Sequence, residues 1–164
     1  MVNRRIEPGP GEESVWDYPR PPRVEADSRR VEVFFGGQRV ASTTGAVRVL
    51  ETSHPPVFYV PLDDVEPGVL VDSRQRTYCE FKGHARYHHL EVAGQRSENA
   101  GWSYAEPDAG FEALAGKIAF YPSRVDVCTI DGEQVRSQDG DFYGGWITNE
   151  IVGPFKGGPG TWGW

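Results

Sequence analysis

The chain has 164 residues, 20 of them glycine and 13 proline. A fifth of the chain in these two types excludes a regular helical bundle, since glycine costs roughly 1 kcal/mol and proline roughly 3 kcal/mol in a helix interior. The net charge of −7, spread as 0, −3 and −4 over residues 1–30, 31–125 and 126–164 with no basic arm, argues against nucleic-acid phosphates as partners.

Residues 1–23 form a proline-rich arm, with Pro8-Gly9-Pro10-Gly11 followed by Tyr18-Pro19-Arg20-Pro21-Pro22. Proline fixes φ and removes a donor, so the arm is extended or disordered, and Trp16 and Tyr18 are the side chains able to pin it on the domain. No secretory leader is expected, because Met1–Pro10 lacks an apolar stretch. No run of about 18 apolar residues exists to cross a membrane. A cytoplasmic location and no membrane partner are expected.

From Val24 to Val135 the pattern is of short strands. Arg30–Phe35 alternates and turns at Gly36-Gly37 into Gln38–Ser42. Ala46–Glu51 follows, then Val57–Pro61 after Pro55-Pro56, and a turn and helix start at Asp63-Asp64-Val65. Thr77–Gly83 reads as strand into turn, with His84–Val92 as its hairpin mate. Ala100–Pro107 is extended, Phe111–Ala115 is one helical turn, and Lys117–Tyr121 and Val125–Ile130 are strands, the last closing on Asp131-Gly132. Many short strands with little helix predict a mostly-β fold, a barrel or a sandwich. Residues 136–164 form a Gly/Trp-rich tail, with Gly144-Gly145-Trp146 and Trp162-Gly163-Trp164, expected to pack its tryptophans on the strand domain of residues 24–135 or across a dimer, with a ligand lid as the alternative.

The motifs Phe35-Gly36-Gly37, Val49-Leu50-Glu51-Thr52, Pro55-Pro56-Val57-Phe58-Tyr59, Thr77–Gly83, Ala100–Tyr104 and Ile118–Tyr121 occur in this order. Together they resemble a small bacterial family of unknown function, sometimes given a nucleotidyltransferase-like label, over about residues 30–132. The tail resembles its longer, actinobacterial-type members. The resemblance implies a single β-tent-like domain, a fold shared with the thalidomide-binding domain of cereblon and type B methionine sulfoxide reductases, and with aromatic pockets among its relatives. A four-cysteine zinc site, common in β-tent proteins, does not carry over, because Cys79 and Cys128 are the only cysteines. No paired aspartates after a Gly-Ser turn support the nucleotidyltransferase label.

Candidate chemistry gathers around the turns. Cys79 and Lys82 are three apart, and a turn at Lys82-Gly83 would bring the ammonium over the thiol, where it would favour thiolate. Cys79 as a small buried hydrophobe is the blander alternative. Glu51 shares a strand face with Val47 and Val49, so it points inward and needs a partner, with Lys82 as the candidate. His54, held extended by the prolines after it, is a candidate base oriented by a carboxylate. Tyr59, Trp102 and Tyr104 are candidate aromatic walls for a planar or cationic ligand. His84, His88 and His89 are read as a solvated strand face rather than a metal site, so neither metal nor cofactor is expected.

The reading is therefore a small-molecule-binding protein or metal-independent enzyme. Lys82, Glu51, His54 and Cys79 are its candidate catalytic residues, and Tyr59, Trp102 and Tyr104 its ligand-binding ones. The rival reading is a protein-interaction or homo-oligomeric module using the arm and the tail, so a homodimer is an allowed partner.

Overall fold

The computed structural model describes residues 5–140 and 142–164. The first four residues of the arm and Asp141 of the tail lie outside the described residues. Close to half of the chain is strand, and among the described residues no helix reaches seven residues. The helical pieces are single 3-10 turns at Val15–Asp17, Leu62–Asp64, Glu112–Leu114 and Pro122–Arg124.

The strands in chain order are β1 (Glu13–Ser14), β2 (Arg23–Asp27), β3 (Val31–Phe35), β4 (Gln38–Thr43), β5 (Ala46–Leu50) and β6 (Val57–Pro61). There follow β7 (Leu70–Cys79), β8 (Gly83–Val92), β9 (Gln95–Ser103), β10 (Lys117–Phe120) and β11 (Val127–Ile130). The chain ends in the two-residue strands β12 (Glu133–Gln134), β13 (Arg136–Ser137), β14 (Trp146–Ile147) and β15 (Ile151–Val152). Gly36-Gly37 and Asp131-Gly132 both turn with positive φ at the two central residues, as do Ala93 and Gly94. Two-residue loops of that conformation match the twist of the strands they join.

Seven strands form one sheet in the order β2-β5-β6-β10-β9-β8-β7, and four form a second in the order β12-β11-β3-β4. The large sheet is open, with β2 and β7 as its edges, so the mostly-β prediction holds without a closed barrel. Strand alternation gives the large sheet two apolar faces. Phe58, Val60, Ile118, Phe120, Leu90 and Val92 lie in a core shared with Val31, Val33, Val40, Cys128 and Ile130 of the small sheet. Val47, Val49, Tyr59, Tyr87, Trp102, Ala119 and Tyr121 form a separate cluster on the opposite face.

The arm and the tail are knit to each other and to the loop after β5. β1 pairs in parallel with β15. The Trp16 indole N–H donates to the Pro154 carbonyl at 2.8 Å, and the Thr52 hydroxyl donates to the Tyr18 carbonyl at 2.6 Å. The amide of Ser53 donates to the Val15 carbonyl, and its own carbonyl accepts from Lys156 N–H. Arg48, nearly buried on β5, bridges Glu13 of the arm and Glu25 of β2. Trp146 is fully buried against Phe58 and donates its indole N–H to the Phe120 carbonyl. Trp162, in contrast, is 90 % exposed.

Candidate functional site

The second apolar face of the large sheet is the floor of a cavity of about 370 Å³. Its floor follows from register. One row of paired residues runs across five strands: Val47 on β5, Tyr59 on β6, Ala119 on β10, Trp102 on β9 and Tyr87 on β8. Ala119 is the small member between two large rings. It leaves the gap over which the Trp102 indole N–H donates to the Tyr59 hydroxyl at 3.1 Å. Trp102 also packs on Tyr121 with ring centroids 4.6 Å apart, and Tyr104 lies 6.3 Å from Tyr59. Burial raises the phenols of Tyr59 and Tyr104 above the ordinary tyrosine range, so both present neutral hydroxyls.

Three connections wall this floor. The β7–β8 turn, residues 80–82, curls the chain back between Cys79 and Gly83, which pair directly. That reversal brings both Cys79 and Lys82 to the cavity, although three residues along a straight strand would have parted them. The Lys82 carbonyl is held by the Asp108 N–H. The loop after β5 contributes Glu51, His54 and Pro55. The tail contributes Gln138, Phe142, Tyr143, Gly144 and Lys156.

Gly144 lies flat on Trp102: a Cβ there would sit 2.3 Å from the indole Cη2. Gly145 is held as closely, with a Cβ position 2.5 Å from the Gln138 side-chain oxygen.

All seven residues singled out from the sequence line this one cavity: Glu51, His54, Tyr59, Cys79, Lys82, Trp102 and Tyr104. Two expected pairings differ. Glu51 and Lys82 are not among the ion pairs of the described residues. His54 is oriented by an amide rather than a carboxylate: the Gln138 side-chain N–H lies 3.3 Å from its Nδ1. The His54 ring also stacks edge-on against Tyr143 at 4.8 Å. Burial, followed by the positive charges of Lys156, Arg20 and Lys82, lowers its pKa to about 4. His54 is thus neutral at neutral pH, and far below the value that suits a general base there.

Sequence reasoning missed Gln138, Lys156 and Tyr143, which come from the tail, and Tyr87 and Tyr121, which come from the sheet. The two sheet tyrosines carried a usable signal, namely same-face parity with Ala85 and Ala119. Gln138 carried none, being 84 positions from the histidine it touches. Of the three clustered histidines, His88 is bonded to the Ser103 hydroxyl at 2.7 Å, and His89 Nδ1 meets the Asn99 N–H at 2.9 Å. Among the described residues, no group of three His, Cys, Asp or Glu side chains is placed to hold a metal ion.

No curated protein matches the chain. A family model labelled NTP_transf_9, described as a domain of unknown function (DUF427), matches residues 23–131. That stretch contains every strand of the cavity floor, while Gln138, Tyr143 and Lys156 fall beyond it. The match spans two thirds of the sequence, and the chain belongs to the DUF427 family.

Proposed function

We propose that this protein binds a small, planar molecule in the aromatic cavity, and that binding rather than acid–base chemistry at His54 is its primary task. The observation that carries this reading is convergence. Residues from five strands, two loops and the tail line one space of about 370 Å³, within the range of small-molecule sites, which are mostly apolar with a few placed polar groups. Neutral Tyr59, Tyr104 and Trp102 supply flat apolar faces. A histidine with a pKa near 4 is a poor proton acceptor at neutral pH, which favours a binding role for it. Cys79 and Lys82 remain the groups from which a covalent step would start.

The test is a thermal-shift screen of a metabolite collection. A ligand at 100 times its dissociation constant adds about 2.7 kcal/mol. That raises Tm by roughly 5–11 °C for a domain of this size. Hits should lose their shift in Lys82→Ala and Tyr143→Ala, which change the wall and leave the floor intact. A flat screen tells against the proposal. The exposed Trp162 favours the rival reading of the tail as a docking element, and a concentration-dependent dimer lost in Trp162→Ser would support it.

A further inference from the structure

Resting on the binding reading, we infer that Gln138 is a positioning residue that fixes His54 as its Nε2–H tautomer, so that the cavity selects a planar ring carrying an acceptor oxygen, a carboxylate or carbonyl. The geometry around Gln138 leaves one assignment. The side chain is 4 % exposed. Its nitrogen lies 2.5 Å from the Lys156 carbonyl, which only accepts, and its oxygen lies 3.2 Å from the Gly145 N–H, which only donates. These two backbone groups have fixed polarity, so the amide cannot be reversed. The second amide proton then faces His54 Nδ1 at 3.3 Å. Nδ1 must accept it, and the proton of a neutral imidazole must sit on Nε2.

That Nε2–H has no acceptor among the described residues. It is also absent from the four buried side-chain atoms left without a partner, Arg48 Nε, Ser53 Oγ, Asn99 Oδ1 and Thr129 Oγ1. It is therefore an accessible donor in a residue that lines the cavity. Among the described residues, the charges that act on the imidazole are those of Lys156, Arg20 and Lys82. Two of these cations, Lys82 and Lys156, line the cavity with it, as do Glu51 and Glu80. A donor backed by cations favours an acceptor oxygen, and an anion above a neutral carbonyl. At the His54 end of the cavity these cations disfavour the cationic ligand that aromatic walls alone would allow. Gln138 lies beyond residues 23–131, so this selectivity is carried by the tail, on a pocket whose floor the rest of the chain supplies.

Two measurements test it. Long-range ¹H–¹⁵N correlation at pH 7 reads the tautomer directly, with the His54 signals assigned by their loss in His54→Asn. The Nε2–H pattern is expected in the free protein, and an Nδ1–H pattern overturns the inference. Gln138→Glu replaces the donor by an acceptor and should move the proton to Nδ1. An unchanged Nε2–H pattern in that folded variant overturns the positioning role. The probes are benzoate, benzamide and benzamidinium, equal in shape and differing in what they offer. Benzoate should perturb cavity resonances at a concentration at least tenfold lower than benzamidinium, with benzamide between. Benzamidinium binding equally or better overturns the ligand class. Silence from all three probes in a protein with the Nε2–H tautomer overturns the binding reading instead, and leaves the Gln138 assignment standing.

Discussion

Gly144→Ala is expected to destabilise the protein and deform the cavity together, because the same contact does both jobs. The added Cβ would lie 2.3 Å from Trp102 Cη2, 2.8 Å from Cζ3 and 3.4 Å from Tyr121 Cδ1. Carbon atoms rest about 3.5–4.0 Å apart, so tail or indole must yield by more than 1 Å. The indole resists: it is 8 % exposed, hydrogen-bonded to Tyr59 and packed on Tyr121. Overpacking of this kind costs about 1–3 kcal/mol, which lowers Tm by roughly 2–12 °C in a domain of this length. Thermal unfolding by circular dichroism, with tryptophan emission followed in parallel, measures it. Gly163→Ala is the control, since a Cβ there meets nothing within 4 Å. A Gly144→Ala protein melting within a degree of the parent, with unchanged emission, would refute the close approach of tail to indole.

Two further outcomes are expected. His54 has a folded pKa near 4, below its ordinary 6.5. The unfolded chain therefore takes up the proton first as pH falls. Stability held above pH 6.5 is lost between pH 6.5 and 4, by as much as about 3 kcal/mol. His54→Asn should flatten that part of the stability–pH profile, and a His54 titration midpoint near 6.5 by NMR contradicts the burial argument. Cys128 is 2 % exposed, and burial pushes its thiol above the ordinary range, whereas Cys79 is partly exposed at the cavity wall. Iodoacetamide should label Cys79 alone in the native protein and both thiols in denaturant. Equal native labelling of Cys128 goes against the core placement.

Much of the sheet was legible because alternation and turn chemistry are local. Gly36-Gly37 and Asp131-Gly132 mark two hairpins by the positive φ their turns require, and Val57–Pro61 was legible to the residue. The Ala93-Gly94 hairpin was less visible, since alanine gives no sign that it will adopt positive φ. Leu70–Arg76, the first part of β7, was missed because an edge strand facing solvent carries little apolar alternation. Among site residues, Trp102 and Tyr104 were legible as same-face aromatics, and Tyr59 as an aromatic on the strand after Pro55-Pro56. Glu51 was legible by its parity with Val47 and Val49.

Sequence alone determined that the chain is built of short strands, and which side of each strand is apolar, because a two-residue period and a turn are written within a few neighbouring residues. It also marked the polar candidates, which sit where glycines and prolines break the strands. Only the tertiary structure decided that these turns meet around one cavity, since strand order places β10 between β6 and β9 and so brings Tyr59 and Trp102 to either side of Ala119. It alone decided the state of His54. Burial keeps the imidazole neutral, with the cations Lys156, Arg20 and Lys82 adding to it, and Gln138 orients it, all brought together by closure of long loops. Electrostatics depends on distance through space, and no local pattern along the chain encodes that.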